Sequence, residues 1–297
     1  MKIKICGLFR DEDIAYVNEA EPDFIGFVFA KSKRQVTPVQ AKQLKSELKS
    51  SILSSGVFVD AQVEDIVQLV QDDVIEIIQL HGNEDSKYIE KLRAALEDTE
   101  SRWRNKPSDS DDTSLAQNGN HISTSALDCI VDAQFSDIQT DEIASILAYE
   151  YKPPVQIIKA VSVQTTDDIV HALLTYDVDG LLLDHGRGGT GKAFDWSILK
   201  ALTSGNELAD SNDLQSCQID RDGHIAWMLD SELEFIPRVK RIWLAGGINV
   251  ANIDKILEDE ALNHLVYCID VSSGAETFGI KDKAKINTLV HKAHLQQ

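Results

Sequence analysis

The run Gly180-Leu181-Leu182-Leu183-Asp184 sets three leucines between a glycine and a carboxylate, with no polar residue to turn toward water. A strand that is apolar on both faces belongs in a parallel sheet covered on both sides, whereas a half-exposed strand would alternate. Seven other short β-branched runs, most of them apolar nearly throughout, are Lys2–Cys6, Phe24–Phe29, Gly56–Asp60, Ile75–Leu80, Val155–Val163, Arg241–Ala245 and Tyr267–Val271. Amphipathic stretches lie between them. Val63, Ile66, Val67 and Val70 recur at i, i+3, i+4 and i+7, as do Ile286, Leu289, Val290 and Ala293. Ile89, Leu92 and Leu96 keep i, i+3 and i+7, and so do Val250, Ile253 and Leu257. Thr37-Pro38 predicts a helix start, with a hydroxyl cap ahead of a proline in the first turn; Asp11 and Thr165 are further candidate caps. Eight strands, each followed by a helix, predict a (β/α)8 TIM barrel, since an open doubly wound sheet would normally use fewer.

Two acidic stretches interrupt this rhythm. Residues 98–153 include the polar tract Ser108–Asn120, which has too little apolar surface to offset its ordering entropy. The same stretch holds Ile138, Ile143, Ile146 and Leu147, spaced for one helix. Residues 204–237 open on the similar tract Ser204–Gln215. Read as surface insertions, they leave one barrel domain over residues 1–297 with a core of 207 residues, close to the lower limit of roughly 200 for this architecture. Each insertion carries a net charge of -7, so only -6 of the total of -20 belongs to the core. The acidity therefore says little about the site. It does argue against nucleic acid and anionic membrane as partners. No apolar run reaches the roughly 18–20 residues of a membrane span, and strand-like alternation starts at the N-terminus, where a signal peptide would sit. Cys6, Cys129, Cys217 and Cys268 are scattered without CxxC spacing, and the eight histidines show no metal pattern. These features read as a reduced cytoplasmic protein with neither disulfide nor metal.

In such barrels the chemistry lies at the carboxyl ends of the strands. The seventh and eighth runs end in Gly246-Gly247 and Ser272-Ser273-Gly274, small-residue loops that let backbone N–H groups approach a phosphate. Gly188-Gly189-Thr190-Gly191-Lys192, after the sixth run, adds a third such loop. Cys6 ends the first run before Gly7, with Lys4 two residues back on the same face and Arg34 within reach from the second loop. Positive charge there favours a thiolate base or nucleophile; the alternative is a small buried hydrophobe. Asp184 at a site mouth suits a general acid, or else a cap or an ion-pair partner. Lys159, late in the fifth run, has the position of a Schiff-base lysine or of a snorkelling surface residue. Gln79 and His81 close the fourth run, and Arg34 has the fork geometry for a carboxylate.

Taken together these blocks resemble the phosphoribosylanthranilate isomerases of tryptophan biosynthesis. The resemblance rests on Lys4-Ile5-Cys6-Gly7, Gly26–Phe29 with Ser32-Lys33-Arg34, Gly56–Val59, Gln79-Leu80-His81-Gly82 and Leu182-Leu183-Asp184. It continues through Gly188–Lys192, Phe194-Asp195-Trp196, Gly246-Gly247, Asp270–Gly274 and Glu276. It implies an acid–base Amadori rearrangement of N-(5-phosphoribosyl)anthranilate to the 1-deoxyribulose 5-phosphate form. By that analogy Asp184 is the general acid and Cys6 the general base. Arg34 would hold the anthranilate carboxylate, and Gly246, Gly247, Ser272, Ser273 and Gly274 the phosphate. His81 and Asp270 would orient the substrate. No cofactor is implied, because the substrate nitrogen is its own electron sink, and family members are expected as monomers or homodimers. The two insertions and the short segment His185-Gly186-Arg187 depart from the family pattern. Two other readings stay open here: a Schiff-base phosphosugar aldolase using Lys159, and a non-catalytic barrel whose insertions bind a protein partner.

Overall fold

The computed structural model describes residues 1–104, 155–184, 196, 198–199, 214–219, 225–229 and 241–295. Eight of its strands close on one another: β1 (Lys2–Cys6), β2 (Phe24–Val28), β3 (Leu53–Phe58), β4 (Ile77–Leu80), β5 (Gln156–Ser162), β6 (Gly180–Asp184), β9 (Arg241–Leu244) and β10 (Val266–Val271). Every neighbouring pair is parallel, and the barrel closes where β10 meets β1, with Lys4 opposite Asp270. This is the (β/α)8 barrel that the sequence predicts.

Between β6 and β9 runs the antiparallel hairpin β7 (Leu214–Ile219) and β8 (Ile225–Leu229). A two-residue ladder, β11 (Glu276–Thr277) with β12 (Ile280–Lys281), follows β10. The helices are α1 (Asp11–Ala20), α2 (Pro38–Ser46), α3 (Val63–Gln71), α4 (Ser86–Arg104), α5 (Thr166–Thr175), α6 (Asp254–Leu257), α7 (Glu260–Leu265) and α8 (Lys283–His294). The chain divides into two compact units, Met1–Thr99 with Val155–Gln297 and, separately, Glu100–Pro154. The barrel lies in the first. The expected helix around Ile138–Leu147, the tract Ser108–Asn120, Cys129, the segment His185–Arg187 and the loop Gly188–Lys192 lie outside the described residues.

Strand alternation sorts the side chains into two compartments. Phe24, Ile77, Ile158, Ala160, Leu182, Trp243 and Cys268 fill the barrel interior. The other face of each strand packs under the helices, joining Ile3, Ile5, Ile25, Phe27, Leu181 and Leu183 to Ile66, Leu92, Ile169 and Leu289. The amphipathic stripes bury as their spacing predicts in α8, where Ile286, Leu289, Val290 and Ala293 are all inside. In α3, Val67 stays half-exposed at the edge of its stripe.

Some boundaries differ from the sequence reading, for local reasons. Strand β3 begins at Leu53 rather than Gly56, because Ser54 pairs its hydroxyl with the Val74 carbonyl and the Glu76 carboxylate at 2.7 Å each. Polar residues thus enter a strand whose apolar pattern starts later. The Val250–Leu257 stripe forms only the short α6, and Asp259 then caps a separate helix, α7. Thr37 and Thr165 cap α2 and α5 as expected. Asp11 does not cap α1. Arg10 occupies the cap position and the buried Asp13 carboxylate accepts from the Phe9 and Arg10 N–H groups, reaching back one turn where Asp11 points outward.

The amino-terminal half of the interior is closed by aromatic packing, with Trp243 and Phe24 ring centres 4.9 Å apart and Tyr267 beside them. Trp243→Ala is expected to cost about 3–5 kcal/mol, read as a lower urea midpoint at unchanged slope. A loss below about 1 kcal/mol would show that this plug does not hold the barrel together.

Candidate active site

Above the apolar plug the interior turns polar. Lys4, Gln79, Cys6 and Asp270 follow Phe24, Ile77 and Cys268 toward the carboxyl ends of their strands. Lys4 is completely buried and donates to Asp270 Oδ2 at 3.1 Å and to Gln79 Oε1. Its pKa is raised: burial opposes the charge, but Asp270 and Cys6 outweigh it. Gln79 Nε2 in turn lies 3.1 Å from His81 Nδ1, and His81 Nε2 lies 3.7 Å from Asp184 Oδ2. Asp184, at the end of β6, keeps a side chain that is 14% exposed. The sequence-named residues Cys6, His81, Asp184 and Asp270 thus share one end of one interior.

Cys6 occupies space that Gly26 leaves open. A Cβ on Gly26 would stand 2.7 Å from the Cys6 sulfur. The thiol pKa is pushed up by burial, with Lys4 as the strongest opposing influence and Lys281 and Arg34 behind it. Burial and Asp270 together outweigh these three cations, so the positive charge named from sequence does not bring the thiol below its ordinary value.

Arg34 arrives over Gly7 from the loop after β2 and forms a two-pronged pair with Glu276, Nε to Oε1 at 2.6 Å and Nη2 to Oε2 at 2.8 Å. Lys281, fully buried, shares Glu276 Oε1 at 2.7 Å and also donates to the Ser272 carbonyl. These contacts hold the Glu276 carboxyl below its usual range although burial works the other way. Arg34 is raised through the same bond. One edge of the guanidinium is thus engaged, and its Nη1/Nη2 edge still carries the geometry of a fork.

The glycine-rich ends meet at a cavity of about 390 Å³ lined by Gly247, Asn249, Val250, Ala251, Ser273, Gly274 and Lys285. Gly246 and Ser272 flank it rather than line it. Gly274 has to be glycine, because a Cβ there would run into the Ile248 carbonyl oxygen. Asn249 and Asn252 brace the loop by donating to the Gly247 carbonyl at 2.9 and 3.0 Å. Lys285, whose ammonium donates to the Glu276 carbonyl, was missed from sequence. It lies in the first turn of α8, and only the fold sets it at the cavity wall. Glu276 was visible as part of a motif, but its pairing with Arg34 was not.

Lys159 is corrected. It faces away from the interior, on the opposite side of β5 from Ile158 and Ala160, and is buried against Glu84 Oε2 at 2.9 Å and the Gly82 carbonyl at 2.7 Å. An ammonium so engaged cannot attack a sugar carbonyl inside the barrel, and the aldolase reading goes with it. A second cavity of about 400 Å³ lies over the loops after β3 and β4, where Glu84 is committed to Lys159 and to the Asp60 and Gly82 N–H groups. Among the described residues no three His, Cys, Asp or Glu side chains stand together as metal ligands, and no helix is long and apolar enough to cross a membrane.

The model of N-(5'phosphoribosyl)anthranilate (PRA) isomerases matches residues 3–137, 138–209 and 224–292. The isomerase of Clostridium acetobutylicum is 30% identical over 294 residues, which cover 98% of this chain and 96% of that protein. That of Acetivibrio thermocellus is 29% identical over 295 residues, covering 98% and 94%. Among solved structures, the isomerase of Thermotoga maritima superposes with a TM-score of 0.60 at 24% identity, covering 99% of this chain and 98% of that one. The Thermus thermophilus structure gives the same TM-score at 21% identity with complete coverage of both chains. The structures speak for the barrel, and the sequence match, running through nearly the whole chain, places it in the N-(5'-phosphoribosyl)anthranilate isomerase family.

Proposed function

We propose that this family member converts N-(5'-phosphoribosyl)anthranilate into 1-(2-carboxyphenylamino)-1-deoxyribulose 5-phosphate, with Asp184 as general acid and Cys6 as general base. The observation that carries these roles is the placement of both groups, from β1 and β6, at the same carboxyl-end mouth of the interior.

The reaction opens when a proton from Asp184 reaches the furanose ring oxygen as the C1–O bond breaks. The anilino nitrogen supplies the electron pair and becomes a protonated Schiff base. Cys6 then removes the proton from C2, whose electrons flow to that nitrogen and give an enolamine. Tautomerisation moves the hydroxyl proton to C1 and leaves the C2 ketone, so atoms and charge balance without an outside electron acceptor. The Nη1/Nη2 edge of Arg34 receives the anthranilate carboxylate as a bidentate partner. The Gly247–Gly274 cavity, with Lys285 at its wall, takes the phosphate. The substrate is a small molecule. The chain acts as a monomer or a homodimer, in the cytoplasm, without nucleic acid or membrane as partner.

Positioned acid–base groups contribute about 10²–10⁴-fold each. Cys6→Ala and Asp184→Asn are each expected to lower kcat by that range, with the fold kept by circular dichroism, when loss of substrate fluorescence is followed. Near-normal turnover in either removes the assigned role. Arg34→Met should raise KM by about 10–100-fold, with the smaller change in kcat; an unchanged KM would move the carboxylate site elsewhere.

The pH profile carries a further expectation. The Cys6 thiol is raised by burial, so its ionised form is scarce at neutral pH and kcat/KM should rise with pH to a midpoint above the ordinary thiol value of about 8.5. The rising limb should vanish in Cys6→Ala. Its persistence there would assign the ionisation to another group.

A further inference from the structure

We propose that Lys4 and Gln79 are positioning residues that hold His81 as a neutral ring with its proton on Nε2, turned toward Asp184. The proposal rests on the acid role of Asp184 given above and extends it to two residues that act through His81.

The argument runs through what each group is able to donate. A lysine ammonium has three N–H donors and no acceptor, so the amide atom that meets Lys4 Nζ has to be the oxygen of Gln79. Asp270 Oδ2, at 3.1 Å from the other side, keeps the ammonium in place. With its oxygen committed, Gln79 turns its NH₂ to His81 Nδ1 at 3.1 Å. An amide nitrogen only donates, so Nδ1 has to carry a lone pair, and the single ring proton lies on Nε2. A second proton on Nδ1 would set N–H against N–H inside a desolvated site. Four strands contribute to this chain of contacts: β10 through Asp270, β1 through Lys4, β4 through Gln79 and, one residue past its end, His81, and β6 through Asp184.

Asp184 and Asp270 face His81 and favour its protonation, whereas Lys4, and Lys159 from the other side of β5, oppose it. Burial outweighs them all and lowers the ring's pKa. The consequence falls on the acid. An imidazolium 3.7 Å from Asp184 would stabilise the carboxylate and withhold the proton that ring opening needs. A neutral ring leaves Asp184 the proton affinity of an acid while still offering an N–H on that side.

The test uses the full chain labelled with ¹⁵N-histidine, with the His81 resonances identified by their loss in His81→Gln. The ligand-free protein should show the neutral pattern with Nε2 protonated throughout pH 5–8. A ring protonated on Nδ1, or one that titrates near the ordinary midpoint of about 6.5, overturns the proposal. Gln79→Glu keeps the shape and the acceptor for Lys4 but presents His81 with an acceptor. Its ring should take the imidazolium pattern at neutral pH, and kcat at pH 7 should fall about tenfold or more, with KM moving less. A ring that stays neutral in Gln79→Glu, or a kcat that stays level while the ring becomes charged, also overturns it. Should Gln79→Glu not fold, Gln79→Met removes the donor and should let His81 titrate closer to its ordinary value; no movement there overturns the proposal equally. A wild-type chain with the stated tautomer but no turnover of phosphoribosylanthranilate would sink the functional reading and leave the tautomer standing.

Discussion

The Lys4–Asp270 pair is the interaction on which the polar half of this barrel depends. At 3.1 Å and an effective dielectric near 20, the attraction is of order 5 kcal/mol, similar to the several kcal/mol that burying each ion costs. The pair is thus close to neutral for stability, while loss of one partner costs about 3–5 kcal/mol by stranding the other charge. Its importance is positional. It puts a cation that cannot move between strands β1, β4 and β10, at the level where the interior changes from aromatic and aliphatic packing to groups that exchange protons. Asp270 Oδ1 is buried with no hydrogen-bond partner among the described residues.

That fixed cation acts in two directions. Upward along β1 it is the strongest influence holding down the Cys6 thiol, which burial would otherwise push higher still. Sideways it orients Gln79 and through it His81. The same desolvation that makes Cys6 a reluctant thiolate also makes its ionised form a strong base, since a thiolate stripped of water binds a proton tightly. Low population and high basicity oppose one another in the rate, and Lys4 adjusts the balance through its charge.

Much of this was legible in the sequence, and the reasons are physical. The strands could be read because both faces of a parallel sheet are covered, which makes Gly180–Asp184 and Lys2–Cys6 apolar almost throughout and leaves their terminal polar residues conspicuous. Cys6, Asp184 and His81 stood out because each breaks an apolar run at its carboxyl end. Lys4 and Gln79 were visible as residues but not as a network, since their pairing joins positions 75 apart and is set by barrel register rather than by local spacing. Lys159 misled for the complementary reason. A charge late in a strand reads the same whichever side it faces, and only the alternation with Ile158 and Ala160 decides that it points outward to Glu84. Ser54 blurred the start of β3 because its hydroxyl is satisfied by a glutamate on the next strand segment, a pairing invisible to hydropathy.

The two ends of the proposed substrate site are also mechanically joined. Glu276 binds Arg34 from the loop after β2, while its backbone carbonyl takes Lys285 at the phosphate cavity, and Lys281 ties its carboxylate to the Ser272 carbonyl. One residue after β10 thus sets both the orientation of the guanidinium fork and the wall of the cavity. An Arg fork held along one edge loses little further freedom when its other edge meets a carboxylate, so the ordering cost of binding is met largely at folding. The distance between carboxylate and phosphate subsites is then a property of the β10 segment. Asp270 lies in that strand and Glu276 shortly after it, so the proposed restraint on the substrate's two ends and the Lys4–Asp270 ion pair belong to one continuous stretch of chain.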